Sequence, residues 1–163
     1  MVDRHELAGA TLVALLARHA SRDLFDAVQL LRSDDWDWER LRLAFLVYGA
    51  WNRRDWREVS VDDIQFDMQE IHSNLLPVLS HGIAPDKSDL QGWSQGLVEE
   101  CWERMTRLLP LPGEHIEFLD RLNDYGEIVP ELVTSDAGLC AVLRDHPMMK
   151  WKAANVREFH KTR

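Results

Sequence analysis

Apolar residues recur at steps of three and four along almost the whole chain, and nowhere does a sustained apolar–polar alternation mark a strand. The cleanest case is Ser88 to Leu109, where Leu90, Trp93, Leu97, Cys101, Met105 and Leu108 fall on one helical stripe. The stretch His5 to His19 carries a run, Ala8–Ala17, that is apolar apart from Gly9 and Thr11, the pattern of a deeply buried helix. Ser21 is placed to cap a helix over Arg22–Arg32, and the acidic turn Asp34-Asp35-Trp36-Asp37 feeds another over Trp38–Trp51. Ser60 with Asp63 has the spacing of a capping box and predicts a helix from Val61 to about Asn74, which Pro77 ends or kinks. Gly82-Ile83-Ala84-Pro85-Asp86 reads as a loop.

Pro110 and Pro112 close the long helix, and Pro112 suits the first turn of the next, which runs to about Tyr125 with Gly126 as a left-handed cap. A short helix over Val129–Val133 is expected next. Ser135 then caps a helix to His146, and Pro147 opens the last, Met148 to about His160. The expected fold is therefore all-α, a helical bundle of about seven or eight helices with short connections. Residues 1–110 would form the main bundle and 111–163 a C-terminal helical subdomain, unless 1–163 is one domain.

Composition narrows the function classes. With 45% apolar residues in 163, the chain can bury a core, which excludes intrinsic disorder. No run approaches the ~18 consecutive apolar residues of a membrane span, and MVDRHELAG lacks the layout of a secretory signal. Two cysteines, Cys101 and Cys140, make a poor disulfide framework, so a reducing cytoplasm is the expected setting. The net charge of −9 opposes bulk nucleic-acid binding but leaves room for a local basic patch. Seven tryptophans point to a well-packed core or a large partner surface.

Two clusters carry chemical interest. Arg22, Asp23, Asp26 and Gln29 share one polar sector of an otherwise greasy helix, so two carboxylates at i and i+3 could hold a metal or orient a base, with Arg22 compensating at i+4. The competing reading is a solvated face with an internal ion pair. In the terminal helix, Lys152 and Asn155 project among Met148, Met149, Trp151, Val156 and Phe159, while Lys150, Arg157 and Lys161 point the other way. Lys152 then needs a partner, for which Glu127 is one candidate, unless it snorkels at the edge of the face. His5, His72, His81, His115, His146 and His160 show no zinc spacing, so no metal ligand is assigned. Cys101 lies on an apolar stripe and reads as core, and no phosphate-cradling glycine loop or nucleophile elbow is present.

The opening stretch, Glu6-Leu-Ala-Gly-Ala-Thr-Leu-Val-Ala-Leu-Leu-Ala-Arg-His-Ala-Ser-Arg-Asp-Leu-Phe-Asp26, resembles the latter half of the AbiEii/AbiGii nucleotidyltransferase toxins of bacterial toxin–antitoxin and phage-defence systems. In that family a helix carrying a lysine is followed by Arg-Asp-x-x-Asp at the start of the next. The tail resembles one branch of the same family through Phe118-Leu-Asp-Arg-Leu-Asn-Asp-Tyr-Gly-Glu-Ile-Val-Pro-Glu-Leu132, His146-Pro147 and Lys150-Trp-Lys-Ala-Ala-Asn-Val-Arg157.

The resemblance implies catalytic roles for Asp23 and Asp26 and substrate contacts for Arg22, Thr11, Lys152 and Asn155. Two departures stand against a complete enzyme. The family's mixed α/β domain, with its Gly-Ser motif and paired aspartates, is expected to precede position 1, and Thr11 occupies the place of the family's lysine. A hydroxyl cannot replace an ammonium in stabilising transferred phosphate charge.

On this reading the chain is a helical portion of a nucleotidyltransferase-like toxin, needing no cofactor alone and Mg²⁺ with a nucleoside triphosphate (NTP) if completed. Its partners would be a separately encoded catalytic core or a cognate antitoxin, with tRNA only as part of a full enzyme. The alternative is a helical interaction module, antitoxin-like or scaffolding, in which the acidic balance matches a basic partner. A self-sufficient hydrolase on Asp23 and Asp26 has least support, since two carboxylates without a third ligand make a thin metal site. A helix covering a missing domain would expose apolar surface. The segment 5–19 is the expected one, with homodimerisation one way to hide it.

Overall fold

Asp3 begins the first helix by accepting the His5 N–H at 2.8 Å, which satisfies one of the donors a helix start leaves open. In this computed structural model, which describes residues 3–80, 83–86 and 89–161, all regular structure among the described residues is helical. The starts expected at Gly82 and Ser88, and His81, lie outside the described residues. The chain divides into two compact units, Met1–Phe45 with Val59–Leu109, and Leu46–Glu58 with Pro110–Arg163.

In the first unit, α1 (Arg4–Arg18) and α2 (Ser21–Leu31) form a hairpin whose corner is His19, at φ 55°. α1 buries Ala8, Leu12, Leu15 and Leu16 and α2 buries Leu24, Ala27, Val28 and Leu31, steps of three and four that put each stripe on the core side. Burial of each large side chain contributes about 1.5–3 kcal/mol. The expectation that α1 lies bare is corrected: Leu7 is its exposed large apolar residue, and Gly9 meets the backbone of Ala44 and Phe45. The apolar circumference serves a helix covered from more than one side.

α3 (Trp38–Ala50) runs from the first unit into the second. The capping box of Ser60 and Asp63 forms, but it closes only the 3-10 turn Val61–Asp63. The expected helix start there is corrected: buried Ile64 adopts extended backbone and Asp67 caps α4 by accepting the Glu70 N–H at 2.8 Å. α4 runs through Met68–Glu70, widens over Ile71–Leu75 and tightens over Leu76–Val78, where Pro77 removes a donor. Ser21 is likewise not a cap. It is the first residue of α2, its N–H donates to Glu70 and its hydroxyl to the Asp67 carbonyl. α5 (Leu90–Met105) completes the unit with Leu97, Cys101 and Met105 buried.

In the second unit, α6 (Gly113–Asp120) continues as a wide turn over Arg121–Tyr125 and stops at Gly126, φ 67°. A 3-10 turn, Pro130–Leu132, leads to α7 (Ala137–Asp145), capped by Asp136 and not by Ser135, and then to α8 (Pro147–Lys161). Phe118, Leu119, Leu122, Leu143, Met149 and Ala153 are buried, and Trp56, 1% exposed, packs against Gly49. The expected wide apolar face of α8 narrows to Met149 and Ala153. Met148, Trp151, Phe159 and Asn155 are exposed, and Arg157 turns inward to the Gly126 carbonyl at 2.9 Å.

Candidate functional site

The loop Asn52-Arg53-Arg54-Asp55-Trp56-Arg57 is anchored by the buried Trp56 indole. Arg57 gathers three carboxylates: Asp55 at 2.5 Å, Asp120 at 2.7 Å and Asp124 at 2.6 Å. The charged hydrogen bonds that Arg57 donates to Asp55, Asp124 and Asp120 raise its guanidinium far above the usual range, and Arg57 in turn holds the Asp55 carboxyl below its ordinary value. One guanidinium on three carboxylates leaves local negative charge uncompensated, which Arg53, Arg54 and Lys152 face across an adjoining cavity of about 270 Å³.

Lys152 is half-buried, and its Nζ donates to the Asn52 carbonyl at 2.5 Å. Burial pushes its ammonium below the usual lysine value, with the Asp55 charge opposing that shift and Arg57 adding to it. Glu127, one candidate counter-charge, does not pair with Lys152: its carboxylate pairs with Arg121 at 3.2 Å. Lys152 and Asn155 are brought together at a second cavity of about 450 Å³, with Arg53, Asn123, Trp151 and Val156 also in its wall. Asn123 sits in the wide turn that ends α6, a distortion that re-aims side chains, and its buried Oδ1 meets no hydrogen-bond donor among the described residues.

The other sequence-derived residues fall in the first unit. Asp23, near the start of α2, accepts from Arg18 Nε and Nη2 at 3.1 Å each. Asp26 lies 3.6 Å from Arg22 one turn on, the i,i+4 pair the spacing predicts. Thr11 donates its hydroxyl to the Leu7 carbonyl at 2.9 Å, inside its own helix. Asp23 and Asp26 do not by themselves fit Mg²⁺. Both Asp23 oxygens already take arginine protons, and among the described residues no group of three histidines, cysteines or carboxylates could hold a metal ion.

Sequence reasoning missed Arg53, Arg57 and Asn123. The arginine-rich hexapeptide around Trp56 was a visible signal, since charges crowded about a large aromatic mark an anchored loop. Asn123 carried none, because its role depends on the wide turn. No family model, curated protein or solved structure matches the chain.

Proposed function

We propose that the chain is a helical, supporting part of a nucleotidyltransferase-like toxin and is catalytically incomplete alone. The reading is supported by the Arg22-Asp23-x-x-Asp26 stretch and by the matching tail around Lys150–Arg157. The observation that carries it is the state of the two carboxylates. Asp23 and Asp26 stand on a helix fixed by four buried apolar residues, each turned onto an arginine and with no third ligand among the described residues. Such a face can orient a neighbouring group but supplies too few oxygens for metal-assisted phosphoryl transfer. Completion would come from a separately encoded core bringing its own aspartates, Mg²⁺ and triphosphate, in a bacterial cytoplasm.

The test is incorporation of label from radiolabelled triphosphates into total tRNA with Mg²⁺. The expected result is no incorporation by the chain alone and incorporation once a Gly-Ser/paired-aspartate core is added. Incorporation by the chain alone, abolished in Asp26→Ala, overturns the proposal.

A second reading, a helical interaction module, is favoured by the exposed aromatics Tyr125, Trp151 and Phe159, which stand 63%, 47% and 56% exposed. Light scattering separates self-association through this face from a monomer. Loss of a dimer in Trp151→Ala would support the module with a second copy as partner, and a clean monomer would remove that version.

A further inference from the structure

The cavity between the end of α6 and α8 is lined by both signs of charge and by an aromatic wall, and this mixture selects a ligand. Arg53 and Lys152 supply cations, and neither forms an ion pair among the described residues. Lys152 spends one proton on the Asn52 carbonyl and keeps two. The wall also holds Asp124, a carboxylate whose Oδ2 accepts from Arg57. Trp151 adds a flat apolar surface to the same wall.

An anion alone would meet the cations but approach the Asp124 carboxylate. A cation alone would meet Lys152 and Arg53. A triphosphate would add several negative charges beside the carboxylates on Arg57, where like charges repel. A molecule with a carboxylate and an ammonium about one carbon apart, joined to an apolar ring, answers every group. We propose that this cavity binds a small zwitterion with an aromatic side chain, an aromatic α-amino acid: its carboxylate on Lys152 and Arg53, its ammonium on Asp124, its ring on Trp151. A cavity of about 450 Å³ holds such a ligand. The inference goes beyond the proposed function and does not depend on it.

The test is titration of the ¹⁵N-labelled full chain with L-phenylalanine, followed by backbone amide and indole resonances. Saturable shifts are expected at residues 53, 123, 151, 152 and 155. 3-Phenylpropionate, which lacks the ammonium, and phenethylamine, which lacks the carboxylate, are each expected to bind about tenfold or more weakly, the loss of one charged hydrogen-bonding group. Lys152→Met should weaken phenylalanine to the level of phenethylamine and leave phenethylamine unchanged. If that variant does not fold, the two analogues on the unaltered protein decide the matter alone. No shifts with millimolar phenylalanine, equal binding of 3-phenylpropionate, or tighter binding of adenosine monophosphate at the same residues overturns the proposal. The tRNA labelling result bears on none of these outcomes.

Discussion

A Cβ built on Gly9 would stand 2.8 Å from the backbone nitrogen of Phe45, closer than real side chains approach. Gly9 therefore permits the crossing of α1 and α3. Helix propensity alone would favour Gly9→Ala, but here the contact is with backbone, which cannot swing aside. Gly9→Ala is expected to destabilise the protein by about 1–3 kcal/mol, the range for overpacked cores. Chemical denaturation measures this. Adding Ala44→Gly should not restore the loss, because the carbonyl carbon of residue 44 and the nitrogen of Phe45 remain in place.

Gly96 gives the opposite sign. It lies on the exposed face of α5, and a Cβ there meets nothing within 4 Å. Gly96→Ala restricts the unfolded chain and improves helix propensity, so a gain of about 0.5–1 kcal/mol is expected by the same denaturation assay.

Arg57 and its three carboxylates predict a pH effect with a definite sign. Arg57 lowers the Asp55 carboxyl in the folded state below its ordinary 3.8. The unfolded chain therefore takes up the proton first, and the contribution is complete above that ordinary value and is lost as pH falls through the lower folded one. Thermal melts should show a steepening loss of stability below about pH 3.8, blunted in Arg57→Ala. At neutral pH the same variant leaves three carboxylates facing one another and should cost about 1–3 kcal/mol, given partial solvent screening. Asp120→Asn with Asp124→Asn should recover part of that cost, whereas a loss that is unaffected would show that Arg57 acts through packing.

The helices were legible because burial of one face writes itself into the sequence at steps of three and four, and Leu24, Ala27, Val28 and Leu31 obey it. The starts were less so. Ser21 and Ser135 have capping chemistry, yet Ser21 is drawn to Asp67 and Asp136 out-competes its neighbour for the Leu139 N–H at 2.7 Å. Capping depends on which side chain the preceding backbone aims at the helix end, and that is set by tertiary context. In the candidate site the sequence marked Lys152 as a charge in need of a partner but did not give its acceptor. The partner is the backbone carbonyl of Asn52, 100 residues away, and a carbonyl is common to every residue.

Gly126 is the position where backbone and site meet. Its φ of 67° is a left-handed conformation, its N–H donates to the Leu122 carbonyl and the Glu127 N–H to Arg121, closing the wide turn that carries Asn123. A Cβ there would lie 2.5 Å from the Ala153 carbonyl oxygen. Gly126→Ala is expected to cost about 1–2 kcal/mol for the backbone conformation alone, with the clash in addition. The melt should fall, and amide resonances of residues 121–127 and 150–157 should move first.

Cys101 supplies a chemical clock for opening of the first unit. Its side chain is fully buried in α5, and that burial, with a smaller push from the Glu100 charge, raises the thiol to about 12. At pH 8 almost none of it is thiolate, and the thiolate is the species that attacks disulfide reagents. Cys140 is buried too, with its Sγ donating to the Thr134 carbonyl at 3.4 Å. Under native conditions an aromatic disulfide reagent should therefore label Cys101 only as fast as the helix opens, with burst labelling appearing on addition of denaturant. In Gly9→Ala the native rate at Cys101 should rise about tenfold for each 1.4 kcal/mol of lost stability if opening is global. An unchanged rate would place the α5 opening outside the cooperative unit that contains α1, and immediate labelling of Cys101 in the unaltered protein would contradict its burial.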